Sequence, residues 1–460
     1  MRINPELFKT RNILGLYIIF IIIINYLFCY LYTLPGYNPH LIDENNNYIL
    51  KNIAFLFGEM IQNLLDGTSP GLIWFQSEGI KLESGRRLFV PYYLIFIHEY
   101  LTTNFYLIHL VKNLFFGLIV FFTIKLCNRK YNNFFLCACI FVIYYIPHNT
   151  FTILATEHEE GILNYLIIIL FLVLVSENKF KSIWLSIIFT TIFFLKGSMF
   201  FLVLVLPFAY FFYEKENKYR YLLIIIVLLA NILWGLNSYK KNGFFAFGAK
   251  SSSMNAINIT LVTHNLFNKT YPVIRPDIHL ERTYKIVKDN KITNEKDFVD
   301  ILIKKANEYI INNPYEYFVG VLKKIYVLNF SPFKDAQWLE SDDVSIGQYL
   351  YNLKNNIENP KIINPIRFSN LPNKLIFNLS LIILFYSIIR NSQNSIFLKK
   401  LNFYYFLILL TYLAPYMFAW LYPRHATSIY VLAHLYCLMF FMEKNSRLSN
   451  FLKKTIDKKY

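Results

Sequence analysis

Residues 182–213 read SIWLSIIFTTIFFLKGSMFFLVLVLPFAYFFY, an apolar run of 32 residues with a single charge, Lys196, near its middle. As one helix rising ~1.5 Å per residue it would be about 48 Å long, well beyond the ~30 Å of a bilayer's hydrocarbon core. The triplet Lys196-Gly197-Ser198 offers a hinge instead. Two short spans meeting there return the chain to the side it came from. One long span would leave every later basic loop on the face opposite the earlier ones, against the rule that Lys and Arg gather on the cytoplasmic side.

The rest of the chain is of the same kind. Hydrophobic residues make up 55% of the 460 and aromatic residues 19%, against 16% charged, a balance that a water-soluble fold would struggle to bury. The expected fold class is an all-α polytopic membrane protein with about ten transmembrane helices, at 13–33, 105–126, 134–153, 160–176, 181–195, 198–213, 219–238, 374–390, 402–421 and 425–442. The first run is too long for a signal-peptide core and no A-x-A site follows it, so it reads as a retained anchor with residues 1–12 cytoplasmic. With that orientation the cytoplasmic segments carry Arg2, Lys9 and Arg11; Lys125, Arg129 and Lys130; Lys179 and Lys181; Lys215, Lys218 and Arg220; Arg390, Lys399 and Lys400; and the basic tail 444–460. The short outer connections hold only Lys196 and Arg424. Both termini are therefore expected on the cytoplasmic face of the cell membrane. The net charge of +17 is accounted for by these loops, which removes the argument for a nucleic-acid partner. The five cysteines lie in or beside apolar runs without C-x-x-C spacing and read as packing residues.

Four regions follow. Residues 1–238 form an N-terminal membrane module with a first outer loop at 34–87; 239–373 are a large outer loop; 374–443 are the C-terminal membrane helices; 444–460 are the tail. Within the first loop, 48–66 has the apolar stripe Ile49, Ile53, Leu56, Met60, Leu64, and predicts an amphipathic helix on the outer membrane surface with Asn47 as its N-cap. Residues 88–101, with Pro91, His98 and Glu99, predict an outer interfacial or re-entrant piece, since a full crossing would turn Arg129 and Lys130 outward. In the large loop, helices are expected at 296–312 and 315–330, split by Asn313-Pro314.

The charges that could carry chemistry collect on the outer side. Acids are Asp43 and Glu44 after the first span, and Glu157, Glu159 and Glu160 between the third and fourth. Cations are Lys196 at the hinge, Arg424 in LYPRHATS, Arg86, Arg87, and Lys112 just below the outer end of the second span. Ionisable groups bordering a membrane segment are costly and are functional candidates by default. Each has a plainer reading beside it. Thr156 and Glu159 suit a capping box, and acids at a helix start favour its dipole. Asp43 and Glu44 could begin the surface helix, and Lys196 and Arg424 could snorkel to head groups. An outer carboxylate facing cations at membrane level suits transfer from a lipid phosphate ester, the acid as base and the cations stabilising the leaving phosphate.

Six stretches in order resemble the GT-C superfamily of membrane glycosyltransferases, of the protein O-mannosyltransferase and aminoarabinose transferase type: IDENNNYILKNIAFLFG, LATEHEEGILN, FFLKGSMFF, LNSYKKNGFFAFGAKSSSMNAINIT, ANEYIINNPYEYFVGVLKKIYVL and YPRHATSIYVLAHL. The resemblance implies a polyprenyl-phosphate sugar donor, a lipid, glycan or protein acceptor, and inversion at the anomeric carbon. By position it makes Asp43 the base, with Glu44 beside it, Glu157 a positioning or metal-linked acid, and Lys196, Arg424 and Lys112 the donor-phosphate contacts. A divalent metal, used by some members, would have His40, Glu157 and His158 to hold it. The chain departs from the family at Arg424-His425, where Arg-Tyr is common, and at Asn237-Ser238, where an Arg is. Two other readings stand beside it: an O-antigen polymerase or ligase, also polytopic with a large outer loop, and a lipid or polysaccharide transporter, which would show related halves that this sequence lacks.

Overall fold

The computed structural model describes residues 10–33, 41–52, 55–67, 72–75, 80–82, 89–127, 133–154, 159–242, 245, 288–293, 295–329, 370–389, 395–418 and 423–444. Fifteen helices of eight residues or more occur among them. In chain order they are α1 (Thr10–Tyr32), α2 (Phe55–Leu65), α3 (Phe89–Tyr100), α4 (Phe105–Cys127), α5 (Asn133–Tyr144), α6 (Pro147–Leu154), α7 (Glu159–Val175), α8 (Lys181–Leu195), α9 (Phe200–Tyr213) and α10 (Arg220–Asn242). They continue with α11 (Glu295–Asn312), α12 (Pro314–Asn329), α13 (Asn370–Ile389), α14 (Ile396–Phe418) and α15 (Pro423–Lys444). A two-stranded antiparallel ribbon, β1 (Leu72–Phe75) with β2 (Ile80–Leu82), is a departure from helix that the sequence does not predict.

Helix α7 is the post around which the rest is built. Its sequence is apolar all round, and every residue from Glu160 to Val175 is buried, which is what a helix without a polar face requires. It packs against α4, α6, α8, α14 and α15. Helix α1 shows the opposite arrangement. Ile13, Tyr17, Ile21, Asn25, Phe28 and Tyr32 form one buried stripe against α4, yet the outward residues Ile19 and Ile23 are equally apolar and 55% and 61% exposed. Water would penalise that surface at roughly 25 cal/mol per Å², whereas lipid tails do not. Among the described residues six helices are long and apolar enough to cross a membrane, within α1, α4, α10, α13, α14 and α15. The chain is a polytopic helical membrane protein.

Two expected elements change shape. The span at 134–153 is broken into α5 and α6 at Tyr145–Ile146, because Pro147 lacks the N–H that would continue the ladder. The Thr150 hydroxyl donates to the Tyr144 carbonyl at 2.7 Å and at 3.1 Å to the Ile146 carbonyl, which also accepts the Thr150 N–H. The 182–213 run divides as expected: α8 ends at Leu195, Lys196 is extended, and a single 3₁₀ turn, Gly197–Met199, leads into α9. At 15 and 14 residues these helices are short for a bilayer.

The second change is in the first loop. No helix starts at Tyr48 and Asn47 is not an N-cap; a 3₁₀ turn occupies Leu50–Asn52 and α2 begins at Phe55. Asp43 explains the difference by capturing the backbone N–H groups of Asn45 and Asn47. Asn46 takes φ +60°, a left-handed value that asparagine tolerates. The resulting tight turn pairs Ile42 with Tyr48 and Asn47 with Asn104. The 88–101 stretch is the 12-residue helix α3, too short to cross. Helices α11 and α12 meet at Asn313-Pro314 as the sequence predicts. Helix α12 docks on the bundle, where Tyr430 of α15 donates to the Leu328 carbonyl at 2.8 Å and Asn378 of α13 to that of Asn329 at 3.2 Å.

Candidate functional site

The acidic turn sits on the start of α4. The backbone N–H of Tyr48 donates to Thr103 at 2.8 Å and that of Phe105 to Asn46 at 3.0 Å, and the Thr103 hydroxyl donates to Asn47 Oδ1 at 2.9 Å. Asp43 Oδ1 accepts from Asn45 N at 2.9 Å and Asn47 N at 2.8 Å, and Oδ2 from Asn47 Nδ2 at 3.0 Å. The Asn47 side-chain amide first, then these backbone donors, hold the Asp43 carboxyl below its ordinary range. Glu44, next to it, is exposed.

Tyr48 carries the turn into the bundle. Its ring is buried and lies edge-on to Phe105 at 4.9 Å between centroids and tilted against His109 at 6.1 Å. One helical turn further along α4, Lys112 is 5% exposed and His109 2%. Lys112 Nζ donates to the Leu154 carbonyl at the end of α6 at 2.9 Å and lies 3.3 Å from His109 Nδ1. His109 Nδ1 lies 3.2 Å from the same carbonyl, and Asn113 Nδ2 donates to it at 3.1 Å. Asn113 also donates to Asn25 Oδ1 of α1 at 2.7 Å, and Tyr165 of α7 donates to Asn113 Oδ1 at 3.4 Å. This polar floor is built by α1, α4, α6 and α7 together.

Across residues 155–158, α7 opens with a second buried cluster. Lys196 Nζ, from the hinge, donates to Glu160 Oε1 at 2.5 Å and lies 3.4 Å from Glu159 Oε2. The acids at the helix start therefore have a structural partner as well as the helix dipole. Lys196, expected as a phosphate contact or a snorkelling cation, is buried and paired with two carboxylates. At the opposite end of the bundle Glu214, in the turn after α9, bridges Lys181 and Lys400 at 2.7 Å each and accepts from the Tyr404 hydroxyl at 3.2 Å. Burial raises the Glu214 carboxyl, but the two ammonium groups outweigh it and hold the group below its ordinary value.

Of the residues singled out from the sequence, Asp43 and Lys112 come to the same end of α4, linked through Tyr48 and His109. Lys196 stands apart in the Glu159–Glu160 pair. Arg424 lies in the first turn of α15, with its side chain outside the described residues, as are His40, Glu157, His158, Arg86 and Arg87. Among the described residues no three His, Cys, Asp or Glu side chains are grouped to hold a metal ion. The sequence reading passed over His109, Asn113 and Asn25. Their signal was there, three polar residues inside runs otherwise apolar, LIHLVKNLFF and IIIINYLFC. Cys29, Cys137, Cys139 and Cys437 are not joined in disulfides.

Against protein-family models, curated proteins and solved structures the chain finds no match.

Proposed function

We propose that the protein is a membrane glycosyltransferase that moves a sugar from a polyprenyl-phosphate donor to an extracytoplasmic acceptor, a lipid, glycan or protein, with inversion. In this reading the chain crosses the membrane ten times, α5 with α6 forming one broken span and α8 and α9 two short ones. Both termini are then cytoplasmic, and the Asp43 turn faces outward. The observation that carries the reading is the seating of the acidic turn, through Tyr48, directly on the α4 segment that holds Lys112.

The chemistry follows from that juxtaposition. The acceptor hydroxyl attacks the anomeric carbon as the bond from that carbon to the phosphate oxygen breaks. The electron pair leaves with the phosphate, and the acceptor's proton passes to Asp43. An Asp43 held by three donors is ionised at neutral pH and fixed in direction, with part of Oδ2 still open to accept a proton. Lys112, Lys196 and Arg424 are the cations assigned to the leaving phosphate, Lys112 lying at the same end of α4 as the Asp43 turn. Asp43→Asn in purified protein, assayed for sugar transfer from a labelled polyprenyl-phosphate donor, is expected to lose about 10²- to 10⁴-fold in turnover, with Glu44→Gln affected far less. Turnover of Asp43→Asn within a few-fold of wild type would reject the base assignment.

A further inference from the structure

We infer that the Lys181–Glu214–Lys400 cluster is a docking site for the headgroup of an anionic phospholipid, with Lys400 as its contact to the phosphate. One carboxylate stands between two ammonium groups, Glu214 Oε2 at 2.7 Å from Lys181 and Oε1 at 2.7 Å from Lys400. Among the described residues neither lysine pairs with a second carboxylate, so one positive charge is left over. The two lysines are not placed alike. The Lys181 side chain is 3% exposed, with its ammonium 5.5 Å from the centre of the Tyr210 ring, and is sealed inside the bundle. Lys400 and Glu214, at 12% and 16%, reach the surface. An ammonium has three N–H donors. Lys400 gives one to Glu214 and a longer one, at 3.4 Å, to the Ser176 carbonyl. The third meets no acceptor among the described residues. The surplus charge and the open donor thus coincide on one residue at the rim, and an anion satisfies both.

The surroundings favour a lipid over a dissolved ion. The cluster joins the turns 176–181 and 214–219 to the start of α14, at the end of the bundle opposite the Lys196 cluster; in the proposed topology this end faces the inner leaflet. Exposed Trp184, Tyr213 and Tyr219 are the residue types that gather at a membrane–water interface, and they set the cluster at headgroup level. Exposed Lys179, Lys215, Lys218 and Lys399, each within four residues of a cluster member, outnumber Glu177 and Glu216. Basic pockets between membrane helices at this level suit anionic headgroups. Hydrocarbon contact begins beside the cluster. Tyr213 of α9 and Phe403 of α14 stack at 4.4 Å between centroids, one turn along from Lys400, and outward Phe212 and Phe406 on the same two helices are exposed. A phosphate on Lys400 therefore leaves its acyl chains along the α9–α14 seam.

The test uses the full-length chain in non-ionic detergent micelles, titrated with phosphatidylglycerol or phosphatidylcholine of the same acyl chains, or with phosphatidylglycerol against inorganic phosphate. Native mass spectrometry counts the bound lipid. Wild type is expected to bind phosphatidylglycerol about 10-fold more tightly than phosphatidylcholine, with inorganic phosphate a poor competitor. Lys400→Gln should lose roughly 5- to 10-fold for phosphatidylglycerol and little for phosphatidylcholine, the span expected of one lysine at an anionic lipid. Lys400→Arg should keep the preference. Lys218→Gln removes the same charge from the same end and should change it by less than about 2-fold. Glu214→Gln takes away the carboxylate that competes for Lys400 and should tighten phosphatidylglycerol binding, the opposite sign to Lys400→Gln; a cluster that only holds helices together predicts no such opposition. The comparison of Lys400→Gln with Lys218→Gln stands even where Glu214→Gln fails to fold. Equal losses in those two variants would reduce the preference to diffuse attraction and overturn the inference. An unchanged Lys400→Gln protein would overturn it too, as would inorganic phosphate displacing the lipid at equal concentration, which would make the ligand a soluble anion. None of these readouts involves sugar transfer, so the outcome is independent of the enzyme reading.

Discussion

Replacing Lys196 by methionine keeps the length of the side chain and removes the ammonium that stands 2.5 Å from Glu160 and 3.4 Å from Glu159. Lys196 is 7% exposed and Glu160 3%, so solvent screening does little to soften the loss. Breaking a buried pair by removing one partner typically costs ~3–5 kcal/mol, because the remaining charge is left uncompensated. Here two carboxylates are left, one of them able to take up a proton, so the lower part of that range, about 3 kcal/mol, is expected. That is a change of roughly 100-fold in the unfolding equilibrium, at ~1.4 kcal/mol per factor of ten. Reversible unfolding in mixed micelles, with denaturing detergent titrated against a constant non-ionic background, reads this directly. The triple variant Glu159→Gln, Glu160→Gln, Lys196→Met has the same shape without the charges and should recover to within ~1 kcal/mol of wild type. A single variant as stable as wild type, or a triple variant no better than the single, would refute the argument that Lys196 is a counter-ion.

At the other end of the bundle, Glu214→Gln should destabilise the protein by leaving Lys181 and Lys400 facing each other, and Lys400→Met in the same background should restore part of the loss; thermal unfolding in detergent checks both. Glu214 has a depressed carboxyl, so its stabilising contribution is present above the unfolded-state value and is lost as pH falls through the folded one. Acid unfolding of wild type is therefore expected to gain a step below pH ~4.5 that Glu214→Gln lacks. The depressed Asp43 carboxyl likewise keeps Asp43 ionised down through mildly acidic pH, so sugar-transfer rates between pH 5 and 7 should show no acid limb from this group; an acid limb near pH 6 that disappears in Asp43→Asn would contradict it. Single cysteines at the exposed positions Asn45 and Glu216 test the proposed orientation: an impermeant thiol reagent added to intact cells should label position 45 and spare 216.

Much of the fold was legible because helices in a membrane advertise themselves by local composition. The runs 105–126, 160–176, 181–195, 198–213 and 219–238 each reappear as a helix displaced by only a few residues at its ends, and Lys196-Gly197-Ser198 is a hinge because a basic residue and a glycine interrupt 32 apolar ones. Pairing was not legible. Glu160 and Lys196 meet although they are 36 residues apart, and Glu214 joins lysines from α8 and α14; nothing in sequence spacing selects these partners. In the sequence Lys181 and Lys400 are only charges marking loops, while the structure brings both ammonium groups to one glutamate. The first loop misled for a local reason. Its 48–66 stretch has helical periodicity, but the Asp43 side chain competes for the backbone N–H groups at its head and wins four residues as a turn.

The difference between the two halves of the site has a consequence for how it would work. Below Tyr48 every contact is inside the bundle. Asn113 is tied to Asn25 and Tyr165, Tyr165 lies 3.5 Å from the Tyr144 hydroxyl, and Tyr144 and Tyr17 share a hydrogen bond of 3.0 Å. Tyr17 reaches the Gly117 carbonyl at 3.2 Å, where a Cβ on residue 117 would come within 3.1 Å of its hydroxyl. That chain fixes the face of α4 carrying Lys112 and His109 before any ligand arrives. Above it, the Asp43 turn hangs on a few backbone bonds to residues 103–105 and on the Tyr48 ring. Gly117→Ala should therefore disturb the floor by pushing Tyr17 off its carbonyl, raising the donor KM through a displaced Lys112 while the turn and the acceptor KM stay as they were. Tyr48→Ala should do the reverse, loosening the turn and lowering kcat with the phosphate floor intact. Kinetics in which both variants move the same parameter by the same factor would show that the floor and the turn are a single rigid unit, and that the division drawn from these contacts is wrong.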